Sequence, residues 1–355
     1  MSSHPENKTT YIPSLDGMRA AAILIVFLDH AGLKGIPGGF GVTVFFFISG
    51  YLITTLLRQE YQIHRSINFK YFFIRRILRI WPAFYLVLLL GVALTQLHLL
   101  AGEITLPGFL SQCLHFTNYY SIYIGGGQAI GSGVYWSLAV EEHFYLALPL
   151  IYVFMLKRLN ARQQMYLFAG LCLADLLWRC VLVFGFGVSS TRTYYASDTR
   201  FDSLLFGCAL AVYGNPVMDP PALSERRIKY VFVPIGIGLI LFSLLYRNPE
   251  FRETFRYSIQ GIGLLPIFIA AIRFPEWGPF RLLNLKMVRF IGLLSYSLYL
   301  VHHTIILTLK INWPHLHGAL LGTYSLILSF TLAYLIYVFV EIPFSRLRKQ
   351  FKQVS

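Results

Sequence analysis

Residues 39–57 read GFGVTVFFFISGYLITTLL, 19 residues without one charged side chain. A run of 18 or more apolar residues is long enough to cross the hydrocarbon core of a bilayer. Further apolar stretches lie near 15–33, 82–101, 134–156, 165–186, 202–214, 230–246, 257–273, 289–310 and 318–341. Together they make ten candidate spans in 355 residues. Composition agrees: 56% of the chain is hydrophobic and only 13% is charged, where a soluble domain carries roughly 25% charged residues. This excludes a disordered chain, a secreted disulfide scaffold and an ordinary water-soluble enzyme. The expected fold is all-α, a polytopic membrane protein forming a single bundle over residues 1–355, with no soluble accessory domain.

Residues 1–14 are polar, and no small-residue cleavage site follows the apolar run 20–28. The first span therefore reads as a retained helix and not a signal peptide. Orientation follows from Lys and Arg, which favour cytoplasmic loops. With the N-terminus inside, 21 of the 30 fall on the cytoplasmic side and 7 outside, while Arg19 and Arg179 lie within spans. Both termini are thus expected in the cytoplasm, and loop 102–133, which has no Lys or Arg, outside. The net charge of +14 is read as this bias and not as a nucleic-acid surface. Cys113, Cys172, Cys180 and Cys208 show no metal-binding spacing, so neither a disulfide nor a metal site is expected.

An ionisable residue inside a span is expensive and is a functional candidate by default. The first span holds Asp16, Arg19, Asp29 and His30. Arg19 and His30 are eleven residues apart, which at 100° per residue places them about 20° apart on one face and about 16 Å apart along the axis. A basic residue there could hold an anionic group, with an imidazole acting at the far end of a long ligand. The plainer reading is a snorkelling Arg19 and a bonded core histidine. Asp16, three residues before Arg19, suits an ion pair with it. Asp29 points about 100° from His30 and acts on it electrostatically at most.

Other polar groups sit at span edges. Arg76 and Arg79 lie on a short amphipathic segment after the second span and form a fork suited to phosphate, or an anchor to headgroups. In YWSLAVEEHFYLALP, Glu141 and Glu142 enter an apolar run near its outer end, and Ser137 shares a face with Glu141. Trp136 and Tyr135 read as interfacial belt residues. Arg200 and Asp202 open the sixth span, where the simple reading is a structural ion pair. His302 lies well inside the ninth span and suits an interhelical hydrogen bond. Glu341 ends the tenth at the inner face.

Taken in order, these segments resemble the acyltransferase-3 family of integral membrane acyltransferases. LDGMRAAAILIVFLDH carries the family's basic residue, ten residues, then histidine. GFGVTVFFFISGYLIT matches its Gly-rich second span. RRILRIWPAFY matches its Arg-x-x-Arg motif through Arg76 and Arg79. YWSLAVEEHFYLALP, RFDSLLFG, LSYSLYLVH and VEIPF match later signatures, so the resemblance covers about 11–348. His143 stands where a Gln often follows the double glutamate, and His303 where an aromatic is common.

The resemblance implies an O-acyltransferase, most often an O-acetyltransferase, of the bacterial inner (plasma) membrane. The donor would be cytoplasmic acetyl-CoA or another acyl-CoA, with no metal. The acceptor would be a hydroxyl of an envelope or extracytoplasmic carbohydrate, such as lipopolysaccharide O-antigen or exopolysaccharide. Some members carry an extra esterase-like domain; this chain reads as stand-alone or as served by a separate partner protein. His30 is the expected base, because imidazole can take a hydroxyl proton near neutral pH. Glu141 and Glu142 are its candidate orienters. Arg19, Arg76 and Arg79 would bind the coenzyme A phosphates. Asp16, Asp29, Ser137, Trp136, Arg200, Asp202, His302 and Glu341 would serve the acceptor site or the structure. An acyl-histidine intermediate stays open. So does a second function, a proton-coupled transporter or exporter of an anionic or glycan-related solute.

Overall fold

The computed structural model describes residues 11–156 and 158–351. Lys8, Lys157 and Lys352 of the charge count lie outside the described residues. Ten helices form the bundle: α1 Pro13–His30, α2 Gly38–His64, α3 Phe69–Gln96, α4 Trp136–Leu156, α5 Ala161–Cys180, α6 Phe201–Val212, α7 Val233–Leu245, α8 Phe255–Arg273, α9 Lys286–Asn312 and α10 Gly318–Ile336. No strand occurs among the described residues. The protein is an all-α polytopic membrane protein.

Among the described residues, eight helical stretches are long and apolar enough to cross a membrane by length and composition. They contain every helix of the bundle except α1 and α6. The apolar run of α1 is interrupted by Asp16, Arg19 and Asp29, and α6 has only 12 residues. Both pack along apolar neighbours: α6 lies against α2 and α5, and α1 lies between α2 and α9. Pairs α7–α8 and α9–α10 complete the bundle. Large apolar side chains such as Leu89, Leu150, Leu177, Leu241 and Ile327 stand exposed. A surface of that kind suits lipid and would be a liability in water.

Helix α2 runs seven residues past its expected end, to His64, and the start of the third span departs further still. The third span was expected at 82–101, with Arg75, Arg76 and Arg79 on a separate segment before it. Instead α3 starts at Phe69 and runs through Pro82 to Gln96. The Asn68 side chain accepts a hydrogen bond from the Tyr71 backbone N–H (3.0 Å) and caps the helix ahead of the arginines. Pro82 removes one backbone donor, which a packed membrane helix tolerates. The arginines therefore sit inside a long helix.

Two glycines set how closely elements approach. At Gly207 of α6, a Cβ would collide with the Phe47 carbonyl of α2. The small residue lets two backbones touch, as membrane helices favour. Gly131 has φ 74°, and a Cβ there would strike the backbone of Thr304 in α9. It fastens the segment 102–133 onto the bundle. That segment is folded, with short helices Leu106–Cys113 and Thr117–Tyr123.

Candidate active site

Six elements enclose a cavity of about 520 Å³. Arg19 of α1, Ser49 of α2, Arg76 and Arg79 of α3, Ser137, Glu141 and Glu142 of α4, and Tyr296 and Tyr299 of α9 line it. Asp16 and Glu341 add carboxylates, and the helix Ile342–Arg348, packed on α3, brings Arg348 beside Lys349. The cavity is therefore rich in charged groups, cations above all, on an otherwise largely apolar lining.

The cations are not all neutralised. Arg19 pairs with Asp16 at 3.3 Å, as the i, i+3 spacing suggests, and the Tyr11 hydroxyl donates to the same carboxylate at 2.7 Å. Arg76 lies over the rings of Tyr145 and Phe72, at 5.6 and 5.8 Å from the centroids. Among the described residues, neither Arg76 nor Arg79 has a side-chain hydrogen bond or an ion pair, and neither contributes a buried orphan nitrogen. Their guanidinium groups face the cavity. Two forks three residues apart on one helix can grip phosphate oxygens bidentately.

The two glutamates sit differently. Glu141 accepts from Ser49 Oγ of α2 (3.1 Å) and from the Tyr145 hydroxyl one turn on (2.8 Å). Glu142 Oε1 is buried and has no partner among the described residues. Glu341 accepts from Ser297 of α9. Glu141 and Glu142, expected near the outer end of their span, share one cavity with Arg19, Arg76 and Arg79.

His30 does not line this cavity, and no glutamate orients it. Its Nδ1 lies 2.9 Å from Nε2 of His302, with the two rings stacked 5.1 Å apart. The expected interhelical hydrogen bond of His302 is therefore made to His30. Glu141 bonds instead to Ser49 and Tyr145. The wall between cavity and histidines is Tyr299, bonded to Ser137 Oγ at 2.7 Å and to the Val134 carbonyl at 2.9 Å. Asp29 faces the start of α2, where a Cβ on Gly38 would meet its carboxylate. It makes no bond to His30.

A second polar cluster is separate. Arg179 is fully buried. It donates to Asp175 (2.5 Å), Asp202 (2.6 Å), Ser258 (2.7 Å) and the carbonyls of Thr199 (2.8 Å) and Thr254 (2.9 Å). It ties α5, α6 and α8 together. The expected Arg200–Asp202 pair does not form, because Asp202 is taken by Arg179. Arg200 sits instead among aromatic rings, 3.9 Å from the Tyr257 centroid, 5.2 Å from Tyr194 and 5.5 Å from Trp136 and Phe46. Trp136 and Tyr135 are 5% and 3% exposed, so they are not interfacial belt residues. Nearby, in the loop before α6, burial pushes the Asp198 carboxyl up. Hydrogen bonds from Arg192 (2.5 Å) and Trp178 (2.7 Å) outweigh this and hold it below the usual carboxylate range.

Several site residues escaped the sequence reading. Tyr145 was legible in principle, four residues after Glu141. Ser49 was a lone polar residue in an apolar run. The Asp175–Arg179 spacing of i, i+4 within a span was the missed sign of the buried network. Arg348 and Lys349 read only as tail charge.

The order of these groups along the chain decides the family. Residues 12–342 match the family described as Acyltransferase domain. The chain belongs to the acyltransferase-3 family. Among its curated relatives, a Staphylococcus aureus (strain COL) protein, named provisionally as an O-acetyltransferase, is 32% identical over 96% of this chain and 58% of its own length. The Listeria monocytogenes protein named peptidoglycan O-acetyltransferase OatA is 31% identical over 94% of this chain and 56% of its own. The OatA O-acetyltransferase of Staphylococcus aureus strain NCTC 8325 is 31% identical over 94% and 57%. The chain thus spans a little over half the length of these acyltransferase-3 relatives. No solved structure matches it.

Proposed function

We propose that this chain is a membrane O-acetyltransferase that takes an acyl group, most simply acetyl, from cytoplasmic acyl-CoA. The acceptor is a hydroxyl of an envelope polymer. The Listeria monocytogenes relative named peptidoglycan O-acetyltransferase favours such a polymer; O-antigen and exopolysaccharide are further members of the class. The observation that carries the reading is the pair Arg76 and Arg79, unpaired among the described residues, in a cavity of about 520 Å³ that also holds Arg19 and the basic segment at Arg348. A nucleotide with several phosphates has the matching charge, and its pantetheine arm would reach His30 once the Tyr299 side chain that walls off the histidines moves aside.

In this scheme the acceptor hydroxyl gives its proton to His30 as its oxygen attacks the thioester carbonyl. The C–S bond then breaks, and coenzyme A leaves as a thiolate that receives the proton back. General-base help of this kind contributes about 10²–10⁴-fold. Ten spans with both termini cytoplasmic would put the arginine end at the inner face of the plasma membrane and His30 toward the outside. The direct test is purified protein in lipid with acetyl-labelled acetyl-CoA. Label release or transfer to a glycan acceptor supports the reading; neither, in a correctly folded preparation, overturns it.

A further inference from the structure

His302 is fully buried in α9. Its Nδ1 lies 2.9 Å from the Tyr299 carbonyl and 3.1 Å from the Leu298 carbonyl. A carbonyl oxygen carries no proton, so Nδ1 of His302 must be the donor. No carboxylate bonds to either ring, and a charged ring buried without a counter-ion is costly. The neutral ring then has its lone pair on Nε2. That atom faces Nδ1 of His30 at 2.9 Å, so Nδ1 of His30 carries the proton.

We infer that His302 is a positioning residue that locks His30 in its Nδ1–H tautomer and leaves Nε2 of His30 as the basic nitrogen. Two observations support that assignment. Nε2 of His30 bonds to no protein atom among the described residues. It is also not among the buried polar atoms left without a partner, so it faces open space. The backbone of α9 thus sets the direction of proton transfer: helix carbonyls fix His302, and His302 fixes His30. Carboxylates often orient a catalytic histidine; here a second imidazole occupies that place. The inference rests on the proposed role of His30 as base. His303, whose Nδ1 is held by the Gly131 carbonyl at 3.0 Å, packs its ring 4.7 Å from His30 and keeps it from turning.

The test is magic-angle-spinning NMR of the full chain in lipid, with ¹³C,¹⁵N-labelled histidine and His30 assigned by difference from His30→Gln. His30 should show the Nδ1–H tautomer in the unaltered protein and shift toward Nε2–H in His302→Phe. His302→Gln can still place an acceptor oxygen near His30 Nδ1. It should retain kcat within about 10-fold, while His302→Phe loses about 100-fold or more in kcat with KM for acetyl-CoA unchanged. An Nε2–H tautomer in the unaltered protein overturns the inference even if acyl transfer is demonstrated. So does a His302→Phe variant with full kcat. An Nδ1–H tautomer in a chain without transferase activity upholds the tautomer lock and counts against the function alone.

Discussion

Ser49 Oγ of α2 donates to Glu141 of α4 across 3.1 Å, and both residues line the cavity. With Tyr145 as second donor at 2.8 Å, Glu141 is set as an acceptor on both oxygens. Glu141→Gln keeps the shape but turns an NH₂ group toward one hydroxyl. Activity should fall at least 10-fold while membrane insertion persists. Ser49→Ala should cost less, on the order of 1 kcal/mol. Transferase assays on matched amounts of inserted protein read both; an unaffected Glu141→Gln removes the carboxylate from the site.

His30→Ala should abolish acyl transfer, by about 100-fold or more, without changing the level of inserted protein. The ring is needed for chemistry, and its loss opens only a small gap beside His302. Near-normal turnover in the inserted variant would end the assignment of His30 as base.

Arg76→Ala and Arg79→Ala should each weaken acetyl-CoA binding by about 1.5–3 kcal/mol, the range for hydrogen bonds to charged groups. Lysine at either position should restore only part, because an ammonium lacks the planar fork. Calorimetric affinities measured in detergent check this. Unchanged affinity in both alanine variants would return these arginines to a headgroup-anchoring role.

Arg179→Met should destabilise the bundle by about 3–5 kcal/mol, because it leaves Asp202 buried without its cation. The double variant Arg179→Met with Asp202→Leu should recover much of that loss. Thermal denaturation in detergent reads the difference. A single variant as stable as the parent would show that the network is not what joins α5, α6 and α8.

Sidedness can be probed with single cysteines after Cys113, Cys172, Cys180 and Cys208 are replaced. Gln112, a natural choice in the loop without Lys or Arg, is fully buried and donates to Ser132 at 2.5 Å. Glu103, exposed in the same loop, and Gln350, exposed near the tail, are the better pair. A membrane-impermeant thiol reagent should label Glu103→Cys in intact cells and Gln350→Cys only after the membrane is opened. The reverse pattern would invert the bundle and end the transmembrane scheme.

The helices and the polar residues that matter were legible in the sequence because both signals are local. A span shows itself by uninterrupted hydropathy, since every backbone group in lipid must be bonded within the helix. A charged residue inside a span stands out because lipid makes it costly. The Asp16–Arg19 pair followed from spacing along one helix. The start of α3 was misjudged because Arg75, Arg76 and Arg79 interrupt the hydropathy ahead of Pro82, whereas the helix itself runs on through them.

Partners were another matter. His30 and His302 are 272 residues apart, and Ser49 and Glu141 are 92 apart. Nothing along the chain links them. Which histidine meets which, that Glu141 serves the cavity and not His30, and that Asp202 goes to Arg179 and not to Arg200 all depend on the rotation of each helix about its axis. Glycine contacts such as Gly207 against Phe47 set how closely those helices approach. A sequence alone determines which faces are polar; only packing decides which polar faces are turned toward each other, because that choice is made by the combined contacts of all ten helices.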